Sequence, residues 1–242
     1  MAAMTTPPRT ARDIARAEIT ARILDTARAH LAEHGAAGLS LRAVARDLGM
    51  VSSAVYRYVP SRDDLLTRLI TEAFDALGEA AERAEARVAR EDVQGRWRAT
   101  CRAVRKWALA HPHEYALVYG TPVPGYEAPE ATTGPAWRVP RVLIRQLADL
   151  VATEPGSERR LFTPPVPPAA RRAVRPLRAE TPATVPDDLL LTGVLAWTGL
   201  FGLVSFELFG HLHGVVDERP SLRQAFFDTE VDRLAGLLGL SA

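Results

Sequence analysis

Seven residues, Ser52 to Tyr58, hold the side chains of this 242-residue chain best suited to chemistry with a polyanion. Ser52, Ser53, Arg57 and one or both of Tyr56 and Tyr58 share the outer side of a short helix, with Ala54 among them. Small hydroxyls, a guanidinium and phenols on one exposed face suit phosphate oxygens and base edges, and suit little else. Tyr56 has a second reading, as a core aromatic closing a small helical domain. Arg42 stands in the first turn of the preceding helix, where backbone N–H groups also favour phosphate. Arg62 adds a further cation a few residues on.

No other constellation matches this one. His111 and His113 (with Glu114), and His211 and His213, form two His-x-His pairs. Side chains two apart on a helix diverge, and Pro112 separates the first pair, so these read as polar helix-end histidines and no metal site is expected. No Ser-His-Asp order, glycine-rich phosphate loop or paired carboxylates stand out, so neither catalytic residues nor a cofactor are expected. The single cysteine, Cys101, excludes an intramolecular disulfide and fits a reducing cytoplasm.

The elements that must position the Ser52–Tyr58 face are written in the hydrophobic spacing. Leu41, Val44, Ala45 and Leu48 fall at i, i+3, i+4 and i+7, one apolar stripe on a short helix. Gly49 follows where a helix end tolerates positive φ. Val55 and Val59 then turn inward from a second short helix. Two short helices joined by a glycine turn form a helix-turn-helix, whose second helix lies in a major groove. Ile19, Ile23, Ala27 and Leu31 place a longer helix before it, over about 12–34, stopped by Gly35. Pro60 ends the motif. Ser61 and Asp64 fit a capping box for a fourth helix carrying Leu65, Leu66, Leu69, Ile70 and Phe74 inward.

With these elements in order, the chain resembles the tetracycline-repressor (TetR) family of bacterial transcription regulators. The resemblance rests on Gly35, on the run Leu41 to Met50, on Ser53 to Val59, and on Ser61 to Leu66. Val59 and Arg62 stand where members often have Phe or His and Lys, and each keeps its chemical role. The resemblance implies an all-α fold with a three-helix DNA-binding head and a larger helical ligand-binding and dimerisation body. It also implies that the last two long helices of each subunit pair in the dimer. The expected division is an arm at 1–11, a DNA-binding domain at 12–60 and a regulatory and dimerisation domain at 61–242.

The net charge of +1 does not by itself suggest nucleic acid, but it is unevenly spread. Residues 1–68 hold 10 Arg against 7 Asp and Glu, a modestly basic head on a slightly acidic body. Beyond the head, the pattern from Phe74 to Leu109 is helical, with Glu79–Arg83 and Asp92–Arg96 as i, i+4 pairs on a solvated face. Short helices follow at His113–Tyr119 and Trp137–Val151, separated by the Pro/Gly-rich loop Thr121–Tyr126. Residues 155–186 hold eight of the 18 prolines and read as a long surface loop with one helical turn near Ala169–Ala173.

Leu189 to Phe206 is an uncharged run of 18 residues, long enough to span a membrane. Its interspersed glycines and hydroxyls, acidic ends and missing positive flank argue against a span. A helix apolar all round is instead buried on two sides, against its own domain and a second copy. Trp197, Gly202 and Phe206 on this helix, with Phe226, Phe227 and Leu234 on the amphipathic segment after it, are the expected homodimer interface. Trp97, Cys101, Tyr115, Tyr119, Tyr126 and Trp137, together with Trp107, crowd one 41-residue stretch and are the expected site of a largely apolar small-molecule effector. The expected function is a ligand-responsive regulator, repressing from a palindromic double-stranded operator as a dimer in the cytoplasm. An enzyme or carrier with an aromatic pocket, or a DNA-binding protein without ligand, are the alternatives.

Overall fold

The computed structural model describes residues 10–153 and 166–240. Residues 1–9 of the expected arm and 155–165 of the expected loop lie outside them. The helices are α1 (Ala11–His34), α2 (Leu41–Asp47), α3 (Ser52–Val55), α4 (Arg62–Glu85), α5 (Val93–Ala110), α6 (Pro112–Tyr119), α7 (Thr133–Ala136), α8 (Arg138–Thr153), α9 (Pro168–Ala173), α10 (Arg175–Ala179), α11 (Asp187–Leu208) and α12 (Pro220–Leu237). No strand occurs among the described residues. The chain divides into two compact units, Met1–Ala73 with His113–Thr132, and Phe74–Pro112 with Thr133–Ala242.

The first unit is built around Ile23, Ala27, Val44, Ala45, Val55, Val59, Leu65 and Leu66, each fully buried. These are the residues at helical spacing in the sequence. The start of α1 is fixed by a reciprocal capping box that periodicity does not reveal. The Thr10 hydroxyl accepts from Asp13 N–H, while the Asp13 carboxylate accepts from Thr10 N–H. At α4 only half of the expected box forms. Ser61 Oγ accepts from Asp64 N–H at 3.0 Å, but the Asp64 carboxylate pairs with Arg68 at 2.8 Å. The unit also takes in α6 and the loop after it. Leu117, Val123 and Tyr126 pack on the same core, and the Tyr126 and Thr67 hydroxyls are 2.9 Å apart. The units therefore do not part at the expected 60/61 position.

In the second unit α5, α8, α11 and α12 pack pairwise. Glycines permit the closeness. A Cβ on Gly193 would lie 2.7 Å from Leu147 of α8, and one on Gly199 would lie 2.8 Å from Leu234 of α12. The helical pattern over 74–109 is carried by two helices, α4 and α5, with a break at 86–92. Asp92 caps α5 by accepting from Gly95 N–H at 2.7 Å, and a side chain bound to the backbone in this way competes with helix continuation. Arg96 is therefore not on a solvated face paired with Asp92. It is 2% exposed, and donates to Glu85, to Asp149 Oδ2 at 2.7 Å and to the Arg90 carbonyl at 3.0 Å. Burial opposes its charge, and the bonds to Asp149 and Glu85 outweigh that opposition, so its pKa rises. Glu79–Arg83 does form on the surface.

The expected loop is partly helical. Arg178, at the end of α10, donates to the carbonyls of Val185 and Thr181, at 2.5 and 2.9 Å, and Arg171 pairs with Asp188 at 3.0 Å. Those arginines staple the segment to the start of α11. By length and composition α11 could cross a membrane, yet Leu189, Leu190, Leu200, Phe201 and Val204 are buried within its own unit.

Candidate functional site

The face at 52–58 is presented by a turn whose geometry is local. Gly49 has φ +66°, which a side chain would resist. Met50 N–H reaches the Ala45 carbonyl at 2.9 Å and Gly49 N–H the Arg46 carbonyl at 3.0 Å. These two bonds close α2 in a Schellman motif and aim the chain into α3. Val55 and Val59 are buried completely, about 1.5–3 kcal/mol each of side-chain transfer, and clamp the short helix from below. Helical hydrogen bonding continues past α3, from Tyr58 N–H to Val55 O and from Val59 N–H to Val55 O.

With that side fixed, Ser52, Ser53, Tyr56 and Arg57 are exposed and Ala54 is half-buried. Tyr56 is 43% exposed, which disfavours its core reading. Tyr58 is half-buried against the core of the unit, and the Arg16 guanidinium lies over its ring at 5.5 Å. Arg16 also donates to the Arg57 carbonyl at 3.0 Å. A residue 41 positions away thus braces the end of this helix. No sequence spacing signals that contact. Arg42 is exposed in the first turn of α2. Arg62 differs from the others. Its guanidinium donates to the carbonyls of Leu39 at 3.1 Å and Ala36 at 2.9 Å. Those bonds tie α4 to the loop after α1, so Arg62 braces the unit with the donors a phosphate contact would use.

The six residues expected around an effector are divided between the two units. Tyr115, Tyr119 and Tyr126 belong to the first unit, and Trp97, Cys101 and Trp137 to the second. Tyr115 is fully buried with its ring 5.2 Å from that of Tyr119, and burial pushes the Tyr119 phenol upward. Burial likewise pushes the Cys101 thiol well above its ordinary value, which leaves it protonated and inert. Trp107 stacks on His111 at 5.0 Å. Trp97 donates its indole N–H to the Val231 carbonyl at 3.0 Å, joining α5 to α12.

Trp97 does, however, border a cavity of ≈ 50 Å³ inside the second unit. Its walls come from α5, α8, α10, α11 and the chain after α12, including Leu143, Leu147, Leu177, Val194 and Leu240. Sequence reasoning missed it because its lining is drawn from five separated stretches of aliphatic residues.

The expected dimer residues also divide. Phe227 is 2% exposed, covered within its own chain under the Arg105 guanidinium. Arg105 in turn pairs with Glu207 through two contacts of 2.6 Å. Trp197 borders the cavity. Both therefore face inward, where helix packing has already claimed them. Phe226 is half-buried beside Leu203 and Val216. Gly202, Phe206 and Leu234 instead line an open groove of ≈ 490 Å³ on the outer side of α11 and α12. Phe206 is 54% and Leu195 52% exposed. His111 Nδ1 lies 3.0 Å from the Trp107 carbonyl and His213 Nδ1 2.6 Å from Glu218. No group of metal-ligating side chains occurs among the described residues.

Comparison with known proteins agrees with this architecture. A family model described as "Bacterial regulatory proteins, tetR family" matches residues 23–69. One described as "Tetracyclin repressor-like, C-terminal domain" matches residues 97–234. The chain is similar to HTH-type transcriptional regulator Rv1816 of Mycobacterium tuberculosis, 42% identical over 225 residues, covering 93% of this chain and 94% of that one. The crystal structure of the regulatory protein SCO4313 superimposes with a TM-score of 0.75 at 30% identity, over 95% of this chain and 100% of that one. The TetR family transcriptional regulator PfmR from Thermus thermophilus shares the fold, with a TM-score of 0.51 at 17% identity over 91% of this chain and 100% of that one.

Proposed function

The chain belongs to the TetR family of helix-turn-helix, DNA-binding transcriptional regulators, and from that premise we propose that it is a ligand-responsive repressor acting as a homodimer. The observation that carries the reading is the exposed face of Ser52, Ser53, Tyr56 and Arg57 on a helix clamped by Val55 and Val59. Ser52, Ser53, Ala54, Tyr56 and Arg57 enter a major groove, Tyr58 reaches a phosphate through its hydroxyl, and Arg42 meets the flanking backbone. Arg16 acts through Tyr58 and the Arg57 carbonyl, as a positioning residue.

A palindromic operator requires two such helices about one DNA turn apart, ~34–36 Å. A second copy supplies the other, and the groove lined by Gly202, Phe206 and Leu234 is the surface offered for pairing. An effector binding the body shifts the equilibrium between dimers that match this spacing and dimers that do not. It does so only by its differential affinity for the two. α4 contributes residues to both units and is the element through which that shift reaches the head.

Selection of genomic fragments by the full-length protein, followed by fluorescence anisotropy on the recovered sites, tests the reading. A two-fold symmetric site bound by one dimer is the expected result. Failure to prefer any fragment over random DNA overturns it.

A further inference from the structure

Two buried polar atoms without a hydrogen-bond partner among the described residues belong to side chains lining the cavity between α5, α8, α10 and α11: Gln146 Oε1 and Trp197 Nε1. Gln146 is only 3% exposed. Its orientation is set by neighbours. The Thr100 hydroxyl spends its proton on the Arg96 carbonyl at 2.8 Å, so it can only accept from Gln146, which it does at 2.9 Å. The amide NH2 therefore faces Thr100, and the carbonyl oxygen is the atom left over. The other indole at the cavity, Trp97, has its N–H engaged with Val231. The residues lining the cavity thus include one acceptor and one donor without a partner among the described residues, in an otherwise aliphatic and aromatic wall with no ionisable side chain.

Leaving either atom unpaired is costly, because its bond to water is lost and nothing replaces it, and native structures pair the great majority of such atoms. We propose that this cavity is the effector site, and that the effector is an uncharged, chiefly hydrocarbon molecule with a hydrogen-bond donor for Gln146 and an acceptor for Trp197. The inference rests on the ligand-responsive reading above and names the ligand class for it. A charged group has no counter-ion here, and burying it unpaired costs far more than burying a hydroxyl.

The cavity of ≈ 50 Å³ is well below the volume of a typical small-molecule site, roughly 300–1,000 Å³. Occupancy therefore requires a wall to yield. The walls on α5, α8 and α11 are long helices packed on their neighbours. The others are Leu177 on the five-residue α10, and Leu238 and Leu240 beyond the end of α12. These short elements are the ones that move outward, so a bound molecule favours an expanded form of the body over the closed one. That preference is what an effector needs in order to shift an equilibrium.

Benzyl alcohol, toluene, benzoate and benzylammonium share a ring and differ in polar group. Binding of each to the full-length protein is followed by the indole N–H resonances of its four tryptophans. The Trp197 signal is identified by its absence in Trp197→Phe. Benzyl alcohol is expected to move that signal saturably and to bind more tightly than either ion. Gln146→Leu and Trp197→Phe should each weaken benzyl alcohol about tenfold and leave toluene nearly unchanged. Circular dichroism verifies that both variants fold, and either one alone suffices. Overturning results are no saturable binding of benzyl alcohol, equal binding of benzoate, or an unmoved Trp197 resonance, which together describe a cavity that holds only water. Operator binding measured on the same protein separates the two readings. If DNA is bound and benzyl alcohol is not, the regulator stands and this site falls. If benzyl alcohol is bound and no operator is, the regulator falls.

Discussion

Arginine does opposite work in the two units. In the second unit, Arg96 and Arg105 are almost completely buried, and each is held by carboxylates from other elements. In the first, Arg42 and Arg57 stand in solvent at the rim of the helix-turn-helix, and the turn and the valines beneath hold the backbone without them. A side chain that the fold does not need, displayed by a backbone that the fold fixes, is available for a partner. A side chain on which three elements converge is not. The contrast separates stability from recognition more sharply than charge, which is nearly balanced over the whole chain.

The comparison breaks most visibly if Arg96 is dispensable. Arg96→Leu removes the buried partner of Glu85 and Asp149, which have side chains only 12% and 15% exposed and keep only the solvated arginines Arg145, at 4.0 Å, and Arg90, at 2.6 Å. Removing one partner of a buried ion pair costs about 3–5 kcal/mol, enough to melt the body well below its normal temperature. Calorimetry of wild type and variant measures this. An unchanged melting temperature would mean that the cluster is not the brace that the packing implies.

A smaller effect is expected at the outer groove, and it sharpens the division between inward and outward residues. Phe206→Glu places a charge on the exposed side of α11, costing on the order of 3 kcal/mol if a second copy covers it. Sedimentation should show a folded monomer. Phe227→Glu, by contrast, should unfold the body, because Phe227 is enclosed by its own protomer. If Phe206→Glu remains dimeric, pairing through this groove is ruled out.

Arg57→Ala comes next. It should leave thermal stability within about 0.5 kcal/mol, as for an ordinary surface substitution. Operator affinity should fall by roughly 1–3 kcal/mol if Arg57 makes a base or charged phosphate contact. Arg62→Ala should behave in the reverse manner, losing stability through its freed loop carbonyls. Equal operator affinity for wild type and Arg57→Ala, with both folded, would remove Arg57 from the interface.

The head was legible in the sequence because its instructions are local. The Gly49 turn, the stripe of Leu41, Val44 and Ala45, and the inward Val55 and Val59 lie within 19 residues. The body was legible as helices but not as a site. Asp92–Arg96 has good spacing for a surface pair, and nothing nearby indicates that Asp149, 53 positions on, will draw Arg96 inside. The aromatics from Trp97 to Trp137 crowd together in sequence, but the chain carries them through both units. On α12, Phe227 faces inward and Leu234 lines the outer groove. Both are apolar, and the sequence does not say which face meets the protomer and which is left over.

The smallest expected effect concerns pH. A hydrogen bond from Arg102, at 2.8 and 3.0 Å, holds the Asp228 carboxyl below its ordinary value, and Arg138 does the same for Glu82. A carboxyl whose folded pKa is depressed stabilises the native state when ionised. That contribution is complete above the ordinary carboxylate value near ~4 and is lost as pH falls through the depressed folded value. Stability should therefore be flat in these groups at neutral pH and decline only in acid. Both pairs are substantially solvated, so each is worth no more than about 1 kcal/mol. Comparing the melting of wild type and Asp228→Asn between about pH 7 and pH 3 isolates one of them. The difference should be largest at neutral pH and shrink towards zero in acid, as the wild-type carboxyl takes up its proton. A difference that grows in acid would reverse the sign of the linkage and show that Asp228 is not held ionised by Arg102.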